Sequence, residues 1–185
     1  MKFTLPFAFV ALFAACAGPI DRLALPMQAS SLDLRPLVGS AMVRTVSLPG
    51  YAATEEIARE RTDGLIATNE DVLWADLPER AVTLFLVQSL SDILGNDIGP
   101  EPWPFVALPD VSIDVRVARM LAGADGDFQL SGRFYVGGDG IDYRNTTDGF
   151  DIRVPMADQS LASISAAQSA ALVQLSEQIA RRLGR

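Results

Sequence analysis

The chain has 185 residues, and 49% of them are hydrophobic, which suits one compact domain with a sizeable core. Its formal net charge of −8 argues against nucleic acid as a partner and makes attraction to an anionic membrane surface unfavourable. The sequence contains no histidine, which removes the commonest general base and the commonest metal ligand.

The first residues have the features of a secretory leader. Lys2 supplies a positive charge, an apolar run extends from Phe3 to Ala15, and the single cysteine, Cys16, follows it. The run is shorter than a transmembrane helix requires. The segment resembles a bacterial lipoprotein signal peptide, in which residues 1–15 are removed and Cys16 becomes an acylated N-terminus.

Two other interpretations of this segment stay open. Residues 15–17 could be an ordinary cleavage site that discards the cysteine, or Cys16 could be a chance small residue of the leader. Lipidation is favoured because it explains a lone thiol in a secreted protein. It predicts a lipidated tether at residues 16–20, attached to a membrane by acyl chains such as palmitate. Ala17 after the cysteine, by analogy with enterobacterial sorting, favours the outer membrane.

Residues 21–185 have the pattern of a single domain. Its first part predicts a short edge strand, a loop, a strand and a polar hairpin, at residues 22–25, 28–39, 41–48 and 56–68. Asp63 and Gly64 form the predicted turn of this hairpin, because an Asp-Gly pair favours the positive φ angles of a tight turn.

A long helix follows the hairpin. Asp76 and Pro78 favour its first positions, its apolar residues recur every three or four positions, and Gly95 can end it. Residues 99–109 contain four prolines and predict an irregular but ordered connection.

Alternating apolar residues then predict the remaining strands, which begin at residues 111, 128 and 141. We expect a turn at residues 137–140, and a bulge or second hairpin at Asp148 and Gly149. A final helix with an apolar stripe begins near Asp158. An antiparallel sheet with two long helices on one face would bury both stripes, so we expect an α+β fold that forms a two-layer sandwich.

Motifs that mark catalysis are missing from the sequence. It contains no G-x-S-x-G elbow, no S-x-x-K pair, no Walker motif and no dinucleotide fingerprint. The acidic turns at residues 125–127 and 139–140 lack the run of ligands that a calcium-binding EF-hand loop requires. We therefore expect a protein that is not an enzyme and that binds no metal and no cofactor.

Two short motifs frame the polar hairpin. Residues 48–51 read Leu-Pro-Gly-Tyr and close a strand, and residues 73–78 read Leu-Trp-Ala-Asp-Leu-Pro and open the first helix. The later strands around residues 125–126 and the closing helix with Ser176 and Ile179 follow in the same order. Together with the leader, this arrangement resembles the PqiC-like family, also called YmbA-like or paraquat-inducible protein C. These proteins are ABC-type transport auxiliary lipoproteins.

The resemblance implies a lipoprotein on the periplasmic face of the outer membrane. Its implied partners are an MCE-domain protein of the inner membrane and ABC transporter components, in a system that moves lipid across the envelope. Its implied role is to dock or to complete a conduit, without catalytic residues, with phospholipid as a further contact and a homo-oligomer as the expected assembly. Two alternatives stay open, an enclosed lipid carrier and an assembly factor for an outer-membrane complex.

Five residues are candidates for contact with a partner or a lipid. Pro49, Tyr51 and Trp74 match the family's motifs, although an aromatic residue at the end of a strand or the start of a helix more often belongs to the core. Trp103 and Phe105 lie in the proline-rich connection and are candidates for an exposed apolar patch.

Overall fold

The structure is a computed structural model and describes residues 20–138 and 143–185. The predicted signal peptide, Cys16 and most of the predicted tether lie outside the described residues. So do residues 139–142, which include the end of the predicted turn at 137–140 and the predicted start of the following strand.

Eight strands and two helices make up the described chain. The strands are β1 (Asp21–Leu23), β2 (Ser40–Val43), β3 (Glu56–Glu60), β4 (Ile66–Trp74), β5 (Asp97–Pro100), β6 (Val111–Ala122), β7 (Asp127–Gly138) and β8 (Thr146–Pro155). The helices are α1 (Pro78–Leu94) and α2 (Leu161–Leu183), and a short 3-10 turn spans Gly50–Ala52. Within the described ranges, neither helix has both the length and the apolar character that a membrane span needs.

The strands form one mixed sheet organised around β6. On one edge, β7 pairs with β6 along its whole length in antiparallel fashion, and β8 continues the sheet beyond β7. Two parallel strands share the other edge: β2 pairs with the start of β6, and β3 pairs with its end through Arg59 and Ala122. Strand β5 extends the β2 branch, and β4 and then β1 extend the β3 branch.

The structure is a mixed α/β fold that is compatible with the predicted α+β class, but the simple two-layer antiparallel sandwich is wrong. Four of the strand pairings are parallel, namely β1 with β4, β2 with β5, β2 with β6 and β3 with β6. The sheet is also curled and open rather than flat. Alternation of apolar residues indicates which face of a strand is buried, but it does not indicate the direction of the neighbouring strand. The sequence pattern therefore could not exclude parallel pairs.

The predicted strand at residues 41–48 is interrupted in its middle. Strand β2 ends at Val43, and Ser47 then rejoins β6 by accepting from the Val117 N–H and donating its own N–H to the Val115 carbonyl. Between them the Val46 N–H donates to the hydroxyl of Thr83 in α1, at 3.0 Å. A helix side chain therefore replaces the sheet as the partner of this strand.

Both helices bury the apolar stripes that their sequences predict. In α1 the stripe includes Phe85, Leu86 and Leu90, and in α2 it includes Leu172 and Leu175. These side chains join the inward residues of β6 and β7 in one continuous core. Each fully buried side chain of this size contributes about 1.5–3 kcal/mol relative to an exposed one. The helices thus hold the curled sheet through a single shared core.

The helix ends follow known capping rules. As predicted, α1 begins at Pro78, and Gly95 ends it with a φ of 63°. Helix α2 begins later than predicted, because the Ser160 hydroxyl caps it by accepting from the Ser163 N–H. The hydroxyls of Ser160 and Ser163 and the Ser160 N–H stabilise the Asp158 carboxylate, which lowers the pKa of Asp158 to about 2.

Two further sequence predictions differ from the structure. Strand β5 occupies the start of the proline-rich connection, because Ile98 and Gly99 pair with β2. The predicted bulge or hairpin at Asp148 and Gly149 is wrong, since both residues pair with β7 in regular register. Neither residue has a positive φ there, and β8 continues without interruption.

After β1 the chain leaves the sheet and crosses the helices as an irregular segment, residues 24–39, here called the N-terminal strap. The Ser165 hydroxyl of α2 donates to the Ala24 carbonyl at 3.0 Å, and the Ser169 hydroxyl donates to the Pro26 carbonyl at 2.6 Å. Further along, the Leu34 N–H donates to a carbonyl at the end of α1. The strap is therefore fixed against both helices.

Gly132 of β7 lies where the backbone of β6 approaches too closely for a side chain. A Cβ atom at this position would lie 2.2 Å from the Arg116 carbonyl oxygen and 2.9 Å from the Val117 Cα. We expect Gly132→Ala to lower the free energy of unfolding by about 2–3 kcal/mol, because the backbone must move to accept the methyl group. Chemical denaturation followed by circular dichroism measures this loss.

Gly149→Ala, on the neighbouring strand β8, is the matched control. The atom nearest to its added Cβ would be the Gly132 carbonyl oxygen at 3.8 Å, an ordinary van der Waals distance. We expect its free energy of unfolding to stay within about 0.5 kcal/mol of the unsubstituted protein. Equal losses in the two variants would contradict the close approach at Gly132.

Candidate functional site

Two apolar surfaces of the described chain are candidates for function. The first is the segment 101–109 between β5 and β6, here called the apolar loop. The second is an open cavity of about 390 Å³ at the start of α1, here called the apolar groove. Three of the five predicted contact residues belong to these surfaces, since Trp103 and Phe105 lie in the apolar loop and Trp74 lines the apolar groove.

The apolar loop presents large apolar side chains to solvent. Phe105 is 48% exposed, Leu108 is 88% exposed and Val106 is fully exposed. Trp103 is partly buried, and its ring meets that of Phe105 edge to face, with 4.9 Å between the ring centroids. Neighbouring exposed residues of this kind form a patch that a partner or a membrane can cover.

Hydrogen bonds fix both ends of the apolar loop to the sheet. At its start, the Glu101 N–H donates to the Val43 carbonyl of β2 at 2.9 Å. Just after its end, the Asp110 carboxylate accepts from the Gly39 N–H at 2.7 Å, and the Asp110 N–H donates to the Ser40 hydroxyl. Such anchoring lowers the entropy that a partner would otherwise have to remove on binding.

Contacts within the apolar loop stabilise its shape as well. The indole N–H of Trp103 donates to the Ala107 carbonyl and so closes the loop on itself. Gly99 lies under Trp103 and Pro104 so closely that a Cβ atom there would be 2.9 Å from the proline ring. These contacts stabilise one conformation of the loop, and Val106 and Leu108 are exposed in that conformation.

The apolar groove lies between the N-terminal strap and α1. The strap contributes Leu25 and Met27, and α1 contributes Leu84 and Phe85. The ring of Trp74, at the end of β4, also lines it. Apolar side chains thus form most of the groove, as they do in typical small-molecule sites.

Two polar groups in the wall of the apolar groove have no partner within the described part of the chain. Gln168 of α2 is only 4% exposed, and its amide forms no hydrogen bond there. Trp74 is 9% exposed, and its indole N–H likewise donates to no described group. Both residues line a smaller cavity behind the groove too. At the rim, by contrast, the Asp76 carboxylate pairs with Arg80.

Pro49 and Tyr51 hold the chain between β2 and β3. The Pro49 carbonyl accepts from the Ala52 N–H at 2.8 Å, which forms the short 3-10 turn. The Tyr51 hydroxyl accepts from the Met120 N–H of β6 at 3.3 Å, and its ring packs against the core. These contacts favour a structural role for both residues, the alternative that the sequence pattern had left open.

The shifted pKa values of the described carboxyl groups all have an ion pair or a hydrogen bond as their cause. Among the described residues, every carboxyl group with a shifted pKa is shifted down. Arg116 donates to Asp114 and Arg119 donates to Glu60, and these bonds lower both pKa values. A catalytic acid at neutral pH needs a raised pKa instead. No three acidic or cysteine side chains in the described ranges lie close enough together to hold a metal ion.

Several residues of the two surfaces were not predicted from the sequence. Val106 and Leu108 extend the exposed patch beyond the two predicted aromatic residues. Leu84 interrupts the polar face of α1 and is 37% exposed, and Gln168 interrupts the buried face of α2. A polar residue within an apolar stripe, or an apolar residue on a polar face, is the signal that could have found these last two.

Solved structures of other proteins share this fold. A protein of uncharacterised function aligns with a TM-score of 0.72 and 20% identity, over 89% of this chain and 98% of that one. A Xanthomonas campestris protein of the DUF330 family aligns with a TM-score of 0.68 and 15% identity, over 85% of this chain and 91% of that one. Comparison with curated proteins finds no match.

The sequence identifies the family. Residues 23–180 match the family model of the ABC-type transport auxiliary lipoprotein component. The chain therefore belongs to this family, and the predicted PqiC-like resemblance is confirmed. Membership assigns the protein to the cell envelope and to ABC-type transport, as an auxiliary component.

The bond within the apolar loop can be tested by Trp103→Phe, which keeps a ring but removes the N–H that donates to Ala107. We expect chymotrypsin to cleave after Phe105 about fivefold faster, because loss of about 1 kcal/mol raises the population of the open loop by that factor. Mass spectrometry of the fragments measures the rate. Trp74→Phe, outside the loop, should leave it unchanged, and equal rates in all three proteins would contradict a loop closed by Trp103.

Proposed function

We propose that this protein is a non-catalytic docking component of a lipid transport system of the envelope. Acyl chains on Cys16 anchor it to the periplasmic face of the outer membrane. Through the apolar loop it binds an MCE-domain protein of the inner membrane that acts together with an ABC transporter. The observation that carries this proposal is the exposed patch formed by Phe105, Val106 and Leu108 on an anchored loop.

The chemistry of the apolar loop supports a protein partner. Covering a large apolar side chain that is exposed in the free protein contributes about 1.5–3 kcal/mol, so three such side chains can supply much of a binding free energy. The loop lies between Glu101 and Asp110, and the whole chain carries a net charge of −8. Repulsion from anionic lipid headgroups therefore disfavours a membrane surface as what covers the loop.

Two other parts of the proposal concern assembly and chemistry. A homo-oligomer suits a protein that continues a conduit, and a second copy of the chain is compatible with the same docking role. The absence of catalytic chemistry is supported by the ion pairs that lower the pKa values of Asp114 and Glu60. An assembly factor for an outer-membrane complex would use the same anchor, and the identity of the captured partner distinguishes it.

The docking role predicts that charge in the apolar loop abolishes partner binding. We expect Val106→Asp and Leu108→Asp each to reduce crosslinking to an MCE-type protein in isolated envelopes by roughly tenfold, because a buried unpaired carboxylate opposes association. Partners are identified by pull-down and mass spectrometry. Both residues are solvent-exposed, so the melting temperature should not change.

Leu65→Asp is the matched control for these variants. Leu65 is also a large apolar residue, 59% exposed, but it lies in the hairpin turn between β3 and β4. Its crosslinks should match those of the unsubstituted protein. Crosslinks that persist in the loop variants, or that contain no MCE-type protein, would overturn the proposal.

The anchoring role has a separate test in Cys16→Ala. We expect this variant to leave the membrane fraction for the soluble periplasm, or to remain as uncleaved precursor, because it has no thiol to acylate. Its intact mass should lack the acyl chains of the unsubstituted protein. A variant that fractionates with membranes as before would contradict lipidation at Cys16.

A further inference from the structure

We infer that the apolar groove binds a fatty acyl group, with its chain against the apolar wall and its carboxyl or ester oxygens at Gln168 and Trp74. This inference deepens the proposed function, on which its choice of a lipid rests. It assigns a ligand to a surface separate from the apolar loop through which the protein is proposed to dock.

The first step concerns the shape and lining of the apolar groove. Its volume of about 390 Å³ lies at the lower end of the range of small-molecule sites. Leu23, Leu25, Leu84 and Phe85 provide the apolar wall. A single alkyl chain fits this chemistry, whereas a complete two-chain lipid would exceed the volume. The groove is also open to solvent along one side, so a chain can enter without local unfolding.

The second step concerns the unpartnered amide of Gln168. Three other buried polar residues of α2 are satisfied, since the hydroxyls of Ser165, Ser169 and Ser176 all donate to backbone carbonyls. Gln168 is the one buried polar residue of this helix that forms no such bond within the described chain. The amide atoms of Gln168 are not enclosed in the core, as the unpartnered Ser89 Oγ and Asn96 Oδ1 are, so they remain accessible from the groove and can bond a ligand or water there.

The third step concerns the indole N–H of Trp74. The other tryptophan, Trp103, uses the same group to bond a carbonyl within its loop. The Trp74 N–H has no such acceptor, although Trp74 lines the same two cavities as Gln168. The Gln168 amide and the Trp74 indole N–H therefore line a largely apolar site whose other polar residues, Asp76 and Gln88, have partners of their own. The amide and the indole N–H match the oxygens of a carboxylic acid or an ester, the polar end of a fatty acyl group.

The fourth step concerns the source of the ligand. Leu23 lies seven residues after Cys16, a separation that an extended chain spans over about 25 Å. A protein anchored through Cys16 therefore holds the apolar groove within reach of the bilayer and of its own acyl chains. Both sources present the same chemistry. An apolar peptide would also need a partner for each of its backbone amides, and the other two polar residues of the groove, Asp76 and Gln88, already bond Arg80 and Asp92.

The experiment uses the full chain purified from membranes, with Trp103→Phe so that Trp74 is the only tryptophan and can be excited apart from the three tyrosines. Free dibromostearic acid, and vesicles of dibrominated phosphatidylcholine, serve as quenchers that act only in contact with the indole. We expect saturable quenching of Trp74 fluorescence. Gln168→Leu should raise the half-saturating concentration about tenfold through loss of the amide's hydrogen bonds.

Two further variants keep this test decisive. Gln174→Leu changes an exposed glutamine of the same helix and should leave quenching unchanged. Ala81→Phe fills the apolar groove and should abolish quenching at an unaltered melting temperature. Where Gln168→Leu fails to fold, the comparison of Ala81→Phe with Gln174→Leu alone decides the result.

The probes also separate the two sources of the acyl group. Stronger binding by Cys16→Ala than by the acylated protein identifies the protein's own chains as the occupant, and equal binding identifies a membrane lipid. Quenching that does not saturate, or that Gln168→Leu and Gln174→Leu alter equally, overturns the inference. The loop crosslinks are measured in the same groove variants with Trp103 retained, so failure of acyl binding with crosslinks retained rejects this inference and leaves the docking function standing.

Discussion

The shared edge of β6 is the constraint on which the rest of the structure depends. One edge of this strand pairs with β7 throughout, while β2 and β3 occupy opposite ends of the other edge. Because β2 and β3 cannot pair with each other there, the sheet divides into two branches. The β5 branch leads to the apolar loop, and the β4 branch leads through Trp74 to α1 and the apolar groove.

The gap between the two branches also ties the helices to the sheet. Where β2 stops, the Val46 N–H bonds the Thr83 hydroxyl of α1 instead of a neighbouring strand. On the far side of the molecule, β1 is only three residues long, and the N-terminal strap leaves the sheet for α2. The strap then becomes one wall of the groove, held there by Ser165 and Ser169. The groove thus results from a strand that ends early.

Much of this fold could be predicted from the sequence because its signals are local. The stripe of α1, its ends at Pro78 and Gly95, and the long strands β6 and β7 depend on residues that are close in the chain. Strand direction and the sharing of one edge by β2 and β3 depend on residues far apart, and no local pattern specifies them. Strand β5 was missed for this reason: prolines surround it, and its pairing partner lies over fifty residues away.

The candidate site was predictable only in part. Trp103 and Phe105 were identified because they are large apolar residues in an irregular, proline-rich connection, and Trp74 because it belongs to a family motif. Gln168 could not be identified from the sequence, because a single glutamine on a helix is ordinary until its burial and the hydrogen bonds of its neighbours are known. A polar site inside an apolar wall depends on polar groups that have no hydrogen-bond partner within the fold. Whether a group has such a partner is a property of packing.

The apolar loop and the apolar groove are connected on the surface of the molecule. Leu84 lines the groove on one side and, on the other, a second depression of about 440 Å³. That depression reaches Pro100 and Glu101, where the apolar loop begins, and the exposed Leu77 lies along it. A partner large enough to cover the loop and this depression would also lie over the mouth of the groove. Docking would then exclude water from an acyl chain in the groove while the chain is transferred. Docking and acyl binding would be coupled through contiguous surfaces, without a conformational change in the sheet.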